Sequence, residues 1–307
     1  MKFAFYTDFH LRATVPEKRI DDFPESLLSK LSFIYKTAYD SGCECVVFGG
    51  DFFDKHNLHN HEIVVKAGQI LQKSPIPTYQ ILGQHDLSGY NRESYGKSSL
   101  CLFETFLSSF KTIDVKQEFD DCIVYACNVF DDLKDMLSKP MRGSKLKVLI
   151  AHHLITNEKT IFETHNTKDL PCNFDLVLSG DLHCGFKTHA TESDGKYTVW
   201  ANPGSVARLS ISDYDRHPSM FIIDTSKYSV DDLRFIDRIE IPCGKSCDVF
   251  SERMEGISQD RYDNERFIDS IKTFETEAID IYDLLEKVGK TDNISQDILG
   301  YILSKKK

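Results

Sequence analysis

Six short segments of this chain bring carboxylates, imidazoles and small residues together in patterns that could do chemistry. They are Asp8-Phe9-His10, Gly49-Gly50-Asp51, Gly83-Gln84-His85-Asp86, His152-His153, Gly180-Asp181-Leu182-His183 and Asn202-Pro203-Gly204-Ser205. Each alone is weak, since a lone strand-end histidine is usually a hydrogen-bonded structural residue and Gly-Gly-Asp can be only a turn. As a set they offer carboxylate, imidazole and side-chain amide donors without a cysteine thiolate. That donor set suits borderline-to-hard divalent ions such as manganese, iron or zinc. It is too large for one tetrahedral zinc. Two ions roughly 3.5–4 Å apart and bridged by one carboxylate supply a nucleophile near neutral pH and neutralise phosphoryl charge in phosphate-ester hydrolysis. The reaction also needs an acid to protonate the leaving alkoxide, and His85, beside Asp86, can fill that role.

Side chains so far apart in sequence need a scaffold that gathers them. Each segment follows a short apolar, β-branched run: Lys2–Tyr6, Cys45–Phe48, Thr78–Leu82, Lys147–Ala151, Asp175–Leu178 and Thr198–Trp200. Such runs alternate with helical patterns, which is the α/β signature. In an α/β sheet the C-terminal strand ends meet at one crevice. A first helix is expected from Asp22, its N-cap, through Leu27, Leu28, Leu31 and Ile34 to a stop near Gly42. A second is expected over His61–Gln72, before Pro75 and Pro77. Past residue 240 the texture changes. Pro242 and Gly244 interrupt the strands, and from Asp263 apolar residues recur at helical spacing (Phe267, Ile271, Phe274, Ala278, Ile281, Leu285), followed by a short helix over Ile294–Leu303. The expected organisation is a catalytic body over 1–240 and a C-terminal segment with helices over 241–307, able to bind a partner.

Composition narrows the class. At 307 residues, 41% hydrophobic and 28% charged, the chain has ordinary globular composition, which excludes a disordered, collagenous or coiled-coil protein. No apolar run approaches the roughly 20 residues of a membrane span, and the N-terminus turns acidic at Asp8, too early for a secretory leader. A soluble, cytoplasmic protein is expected. Nine cysteines, several of them in apolar runs (Cys45, Cys127), read as reduced, buried hydrophobes. A net charge of −11 argues against coating nucleic acid through bulk charge. It leaves room for a local cationic or metal-based site.

The ordered set D-x-H, GGD, G-(N)-H-D, a strand-end H and G-(H)-x-H resembles the calcineurin-like metallophosphoesterases over roughly residues 1–225. Within them, Asp8-Phe9-His10-Leu11 and Gly50-Asp51-Phe52-Phe53-Asp54 look like elements of the SbcD-type DNA nucleases of phage, bacteria and eukaryotes. The resemblance implies a β-sandwich flanked by helices with a small C-terminal helical appendage. It implies two divalent ions, manganese first, with magnesium, iron and zinc as the other candidates. Asp8, His10 and His183 would hold one ion and Asp51 would bridge both. Gln84, His152 and Asp181 would hold the other, with His153 the alternative to His152. His85 would be the acid, its ring oriented by Asp86. The implied partners are DNA, an SMC-like SbcC-type ATPase that docks C-terminal helices, and a second nuclease subunit in a homodimer. The location would be the host cytoplasm for a phage-encoded chain.

Two positions depart from the family. Gln84 stands where Asn is usual and Asp181 where His is usual, both on the same ion. The Gln stem is one methylene longer, and Asp181 makes the site harder and more anionic, so a retuned second site is expected. His56, His59 and His61 lie in the polar loop after Asp51, solvated or within reach of substrate. His189 is expected to be structural and His217 a turn residue, whereas Arg208 is expected to reach a phosphate. Besides the nuclease, two readings stay open: a stand-alone phosphoesterase for small nucleotides or phosphoproteins, and an inactive scaffold.

Overall fold

The computed structural model of the protein describes residues 1–158 and 164–251. The chain begins β1 (Lys2–Tyr6), α1 (Phe23–Asp40), β2 (Cys45–Phe48), α2 (His61–Lys73), β3 (Thr78–Gln80), α3 (Ser99–Phe106), β4 (Phe110–Thr112). It continues β5 (Lys116–Glu118), β6 (Cys122–Cys127), α4 (Leu133–Ser138), β7 (Leu146–Ala151), with a small β8–β9 pair (Ile155–Thr156, His165–Asn166). The described part ends β10 (Leu176–Ser179), β11 (Phe186–Ser193), β12 (Lys196–Asn202), β13 (Ser219–Asp224), β14 (Ile236–Glu240) and a short α5 (Ser246–Val249). Two six-stranded sheets result, in the orders β14-β13-β1-β2-β3-β4 and β11-β12-β10-β7-β6-β5. Within each, the central strands run parallel (β1-β2-β3-β4 and β12-β10-β7-β6). Antiparallel strands close three of the four edges, and β4, paired parallel with β3, forms the fourth.

Strand alternation builds the layers. Phe3 and Phe5 of β1, Val47 of β2, Val148 and Ile150 of β7 and Leu176 and Leu178 of β10 fill one cluster between the sheets. The alternate residues Ala4, Tyr6, Val46 and Phe48 face outward onto α1 and α2. Leu149, Val177 and Trp200 face outward on the other sheet, with Leu133 and Leu137 of α4. Helix, sheet, sheet and helix layers therefore bury both faces of the central strands. That is why these strands read as continuous apolar runs rather than alternating ones.

Both expected helices form. Asp22 accepts the Glu25 N–H as N-cap of α1, and Gly42 follows the helix with φ +73°. Asn60 caps α2, which ends at Lys73. The third run stops at Gln80 rather than Leu82, because the Asn128 side chain takes the Leu82 N–H at 2.8 Å. The six strands whose ends carry chemistry are not consecutive and do not share a sheet. β1, β2 and β3 belong to one sheet, and β7, β10 and β12 to the other. None of the nine cysteines forms a disulfide. Among the described residues no helix is long and apolar enough to cross a membrane. The helices expected beyond Asp263 lie outside the described residues, while α5 packs Val249 and Phe250 against Ile211.

Candidate metal centre

The loops after β1 and β2 are laced together: Asp8 N–H donates to Gly50 O (3.1 Å), Phe9 and His10 N–H to Asp51 O (3.0 Å each), and Leu11 N–H to Phe52 O (2.8 Å). This pairing turns the backbone through left-handed conformations at Asp8 (φ 52°), His10 (47°) and Asp51 (60°), and Asp181 joins them at 70°. Such strain, of order 1–3 kcal/mol per residue, persists only where surroundings over-determine it and clusters at functional sites. Gly50 and Gly83 permit the close approach. A Cβ on Gly50 would lie 2.5 Å from His152 Nδ1, and one on Gly83 would lie 2.1 Å from Asp51 Oδ1.

The loops bring together Asp8, His10 and His183 in one group, Asp8, Asp51 and His152 in a second, and His10, Asp51 and His85 in a third. Within each group the candidate donor atoms lie within 4.8 Å of one another. Asp51 Oδ2 sits 3.3 Å from His152 Nε2, 3.9 Å from His10 Nε2 and 4.0 Å from His85 Nε2. His183 Nε2 lies 3.6 Å from Asp8 Oδ1 and 3.0 Å from His10 Nε2.

The donor set fits cations. His152 gives its Nδ1–H to the Gly49 carbonyl at 2.7 Å, leaving a lone pair on Nε2. That atom, Asp51 Oδ2 and Gln84 Oε1 are all buried without a hydrogen-bond partner among the described residues. Buried acceptors left unpaired cost about 1–3 kcal/mol each, a cost that a bound cation removes. Protons compete for the same atoms. Burial lowers the affinity of His152 for a proton, but Asp51, Asp8 and Asp181 outweigh it and raise its pKa well above the ordinary value. Burial raises Asp51, yet His152, His85 and His10 hold it below the usual carboxylate range. His10, buried among His183 and His85, is driven low and stays neutral, the form a metal ligand requires.

Asp181 and Gln84 are bonded to each other: Gln84 Nε2 donates to Asp181 Oδ1 at 2.9 Å, and Asp181 N–H reaches both oxygens of Asp8 at 3.2 Å. A carboxylate can only accept, so it selects the amide orientation that leaves Gln84 Oε1 as the free acceptor. The two departures from the family pattern thus belong together. His152 faces Asp51, while His153 gives its Nε2 to the Asn128 carbonyl at 3.1 Å.

His85 and Asp86 do not form the pair expected of them. The His85 ring is fixed by Nδ1 on the Asp54 carbonyl at 2.7 Å, and its backbone N–H donates to Asp51 Oδ1 at 2.8 Å. The Asp86 carboxylate instead accepts the N–H groups of Asp51 (2.9 Å), Phe52 (3.0 Å) and Gly83 (2.9 Å). Asp86 therefore shapes the loop that presents Asp51, and Asp54 orients the ring. Burial lowers the pKa of His85, but Asp51 and the Asp54 carbonyl raise it more, which suits an acid.

Arg208 is a second correction. It is 2% exposed and cannot reach a phosphate in solution. Its guanidinium donates to Gly244 O (2.7 Å) and Ser246 Oγ (3.2 Å) and lies over the Phe250 ring, so it ties the segment around α5 to the body. Of the remaining histidines, His59 and His61 are exposed and His56 partly so. His189 is structural, bonded to Thr167 Oγ1 at 2.9 Å.

The loop after Asn202 shows a device that the motifs do not announce. Ser205 Oγ donates to the Asp8 carbonyl at 2.8 Å, and Val206 N–H to Thr7 O at 3.3 Å. Four consecutive carbonyls of this loop accept from cations. Arg216 serves Ser205 and Ala207, Lys30 serves Val206 at 2.8 Å, and Arg19 serves Arg208 at 3.0 Å. Lys30, 3% exposed, falls at helical spacing between Leu27 and Ile34 on the buried stripe of α1. That placement was the available signal. Thr7, which donates to Asp8 Oδ2 at 2.7 Å, offered none.

Two sheets whose strand ends converge on paired carboxylates, imidazoles and unpartnered acceptors define a metal-dependent hydrolase of the metallophosphoesterase kind. Residues 1–185 match the family model for calcineurin-like phosphoesterases, and the chain belongs to that family. No curated protein sequence matches it significantly. Among solved structures it is similar to TT1561 of Thermus thermophilus, at 12% identity and a TM-score of 0.47 over 78% of this chain and 99% of that one. It is also similar to a dimetal phosphatase from Danio rerio, at 10% identity and a TM-score of 0.45 over 72% of this chain and 92% of that one.

Proposed function

We propose that the protein is a two-metal phosphodiesterase that cleaves DNA, working as the nuclease subunit beside an SMC-like ATPase. The observation that supports the two-metal centre is the trio of buried acceptors without partners, Asp51 Oδ2, His152 Nε2 and Gln84 Oε1, beside the separate group Asp8, His10 and His183. Asp8, His10 and His183 would hold one ion, Gln84, His152 and Asp181 the other, and Asp51 would serve both. Manganese is the ion favoured by the mixed carboxylate, imidazole and amide donors. Bound ions supply a nucleophile and neutralise phosphoryl charge. The protein's own part is to hold the ligands rigidly, through Asp86 beneath Asp51 and the Ser205 loop behind Asp8, and to offer a proton from His85 Nε2 to the leaving alkoxide.

DNA as substrate is supported by the Asp8-Phe9-His10-Leu11 and Gly50–Asp54 elements, the second of which supplies the Asp54 carbonyl that orients His85. The C-terminal residues are the proposed docking segment for the ATPase, with a homodimer of nuclease subunits in the cytoplasm as the working assembly. The net charge of −11 favours the second reading, a phosphoesterase for small substrates. Incubating the manganese-loaded protein with linear DNA and, separately, with bis-p-nitrophenyl phosphate decides between them. Cleavage of both is expected; cleavage of the small diester alone selects the second reading, and cleavage of neither an inactive scaffold.

A further inference from the structure

β11 is an edge strand of one sheet and β14 of the other, and both line a cavity of about 540 Å³. Its charged walls are all cationic, Lys187 from β11, Arg238 from β14 and Arg234 from the turn before β14, in a chain whose net charge is −11. Phe186 and Ile236 contribute apolar surface. Arg234 is engaged by Asp232, and Arg238 gives one N–H to the Pro203 carbonyl at 2.8 Å. Lys187 is exposed and makes no ion pair among the described residues. The cavity adjoins the metal centre through two loops. Cys184, the residue after His183, is one of its walls, and Pro203 lies in the loop whose Ser205 supports Asp8.

We propose that this cleft is a binding site for single-stranded nucleic acid, holding the sugar–phosphate chain that leads away from the metal centre. The proposal rests on the nuclease reading for the centre itself, and its own ground is the charge of the cleft. Lys187 and Arg238 meet phosphates, and the apolar wall receives the face of a sugar or base. A cationic groove lined with apolar surface is the general mode of sequence-tolerant single-strand binding. A local cluster of cations with no acidic residue in its lining also lets an acidic chain hold a polyanion.

The test is the fluorescence anisotropy of fluorescein-labelled oligo(dT) of about 15 nucleotides, near the upper site size of one small binding surface. The full chain is titrated in EDTA, so that no metal contributes, at several salt concentrations. Lys187→Glu and Arg238→Gln, the second keeping an N–H for the Pro203 carbonyl, should each weaken binding several-fold to about tenfold and flatten the salt slope by about one ion. Lys36→Glu, the same charge change on the solvent face of α1, should leave both within about twofold. Wild-type affinity and salt slope in Lys187→Glu and Arg238→Gln would overturn the proposal. So would an aspartate-rich peptide that displaces the oligonucleotide more tightly than oligo(dT) itself binds, which would make the cleft a peptide site. Hydrolysis of bis-p-nitrophenyl phosphate by the manganese-loaded protein reports on the centre separately. Hydrolysis without oligonucleotide binding removes the cleft and keeps the phosphoesterase, and binding through the cleft without hydrolysis does the reverse.

Discussion

Lys30 lets the support behind the metal centre be tested through stability. Its ammonium is buried under α1, and burial, then Arg208, Arg216 and Arg19, lower its pKa from 10.5 to about 7. At about 1.4 kcal/mol per pH unit, that drop means the folded state disfavours the protonated side chain by about 5 kcal/mol. A pKa lowered on folding means that the unfolded chain holds more protons between pH 7 and 10.5. Stability therefore rises with pH across that window, and the full penalty is present below about pH 7. Replacing Lys30 by Met removes this penalty but also the hydrogen bond to Val206 O, a loss of about 1–3 kcal/mol for a charged donor. Lys30→Met should be more stable than wild type by about 2–4 kcal/mol near pH 6. By about pH 9.5 that advantage should shrink by about 3 kcal/mol and vanish or reverse. Urea denaturation of both proteins in EDTA across this range measures the difference directly, with equal m-values as the check that only stability has changed. A difference that stays constant from low to high pH would refute the reasoning, since it would mean that Lys30 titrates alike in the folded and unfolded chains.

Three further outcomes test the centre. His85→Ala should lose about 10²–10⁴-fold in phosphodiester hydrolysis while calorimetry finds the metal stoichiometry intact; loss of an ion instead would make His85 a ligand. Gly83→Ala would push a Cβ against Asp51 Oδ1, 2.1 Å away, so the variant should lose the thermal stabilisation that divalent ions give wild type, about 2.7 kcal/mol at a hundred times Kd. An unaltered metal-induced rise in Tm would show that Asp51 does not coordinate. The double change Gln84→Asn and Asp181→His should move the metal preference toward zinc, by restoring a nitrogen donor and releasing the amide from its carboxylate. Unchanged preference in competitive metal titrations would remove both residues from the ligand set.

The ligand residues were legible because a parallel strand buried on both faces reads as an unbroken apolar run, and the residue types that do chemistry follow directly in the next loop. Asp8, His10, Asp51, His183 and the His152-His153 pair were identifiable as candidates on that ground, with the family resemblance favouring His152 of the pair. So were α1 and α2, whose caps Asp22 and Asn60 are side chains with a local target. What the sequence could not show is where a side chain finds its partner when that partner is a backbone group far along the chain. Asp86 next to His85 reads as its orienter, yet three N–H groups from two loops claim the carboxylate, and the Asp54 carbonyl takes the ring. Arg208 beside the centre reads as a phosphate ligand, yet the Gly244 carbonyl, the Ser246 hydroxyl and the Phe250 ring bury it. Every residue carries the same carbonyl, so composition and spacing hold no trace of which one will be used. Residue type and strand-end position determined that this chain gathers candidate metal ligands. Only the packing of two sheets and the loops behind them decided which neighbours hold those ligands in place.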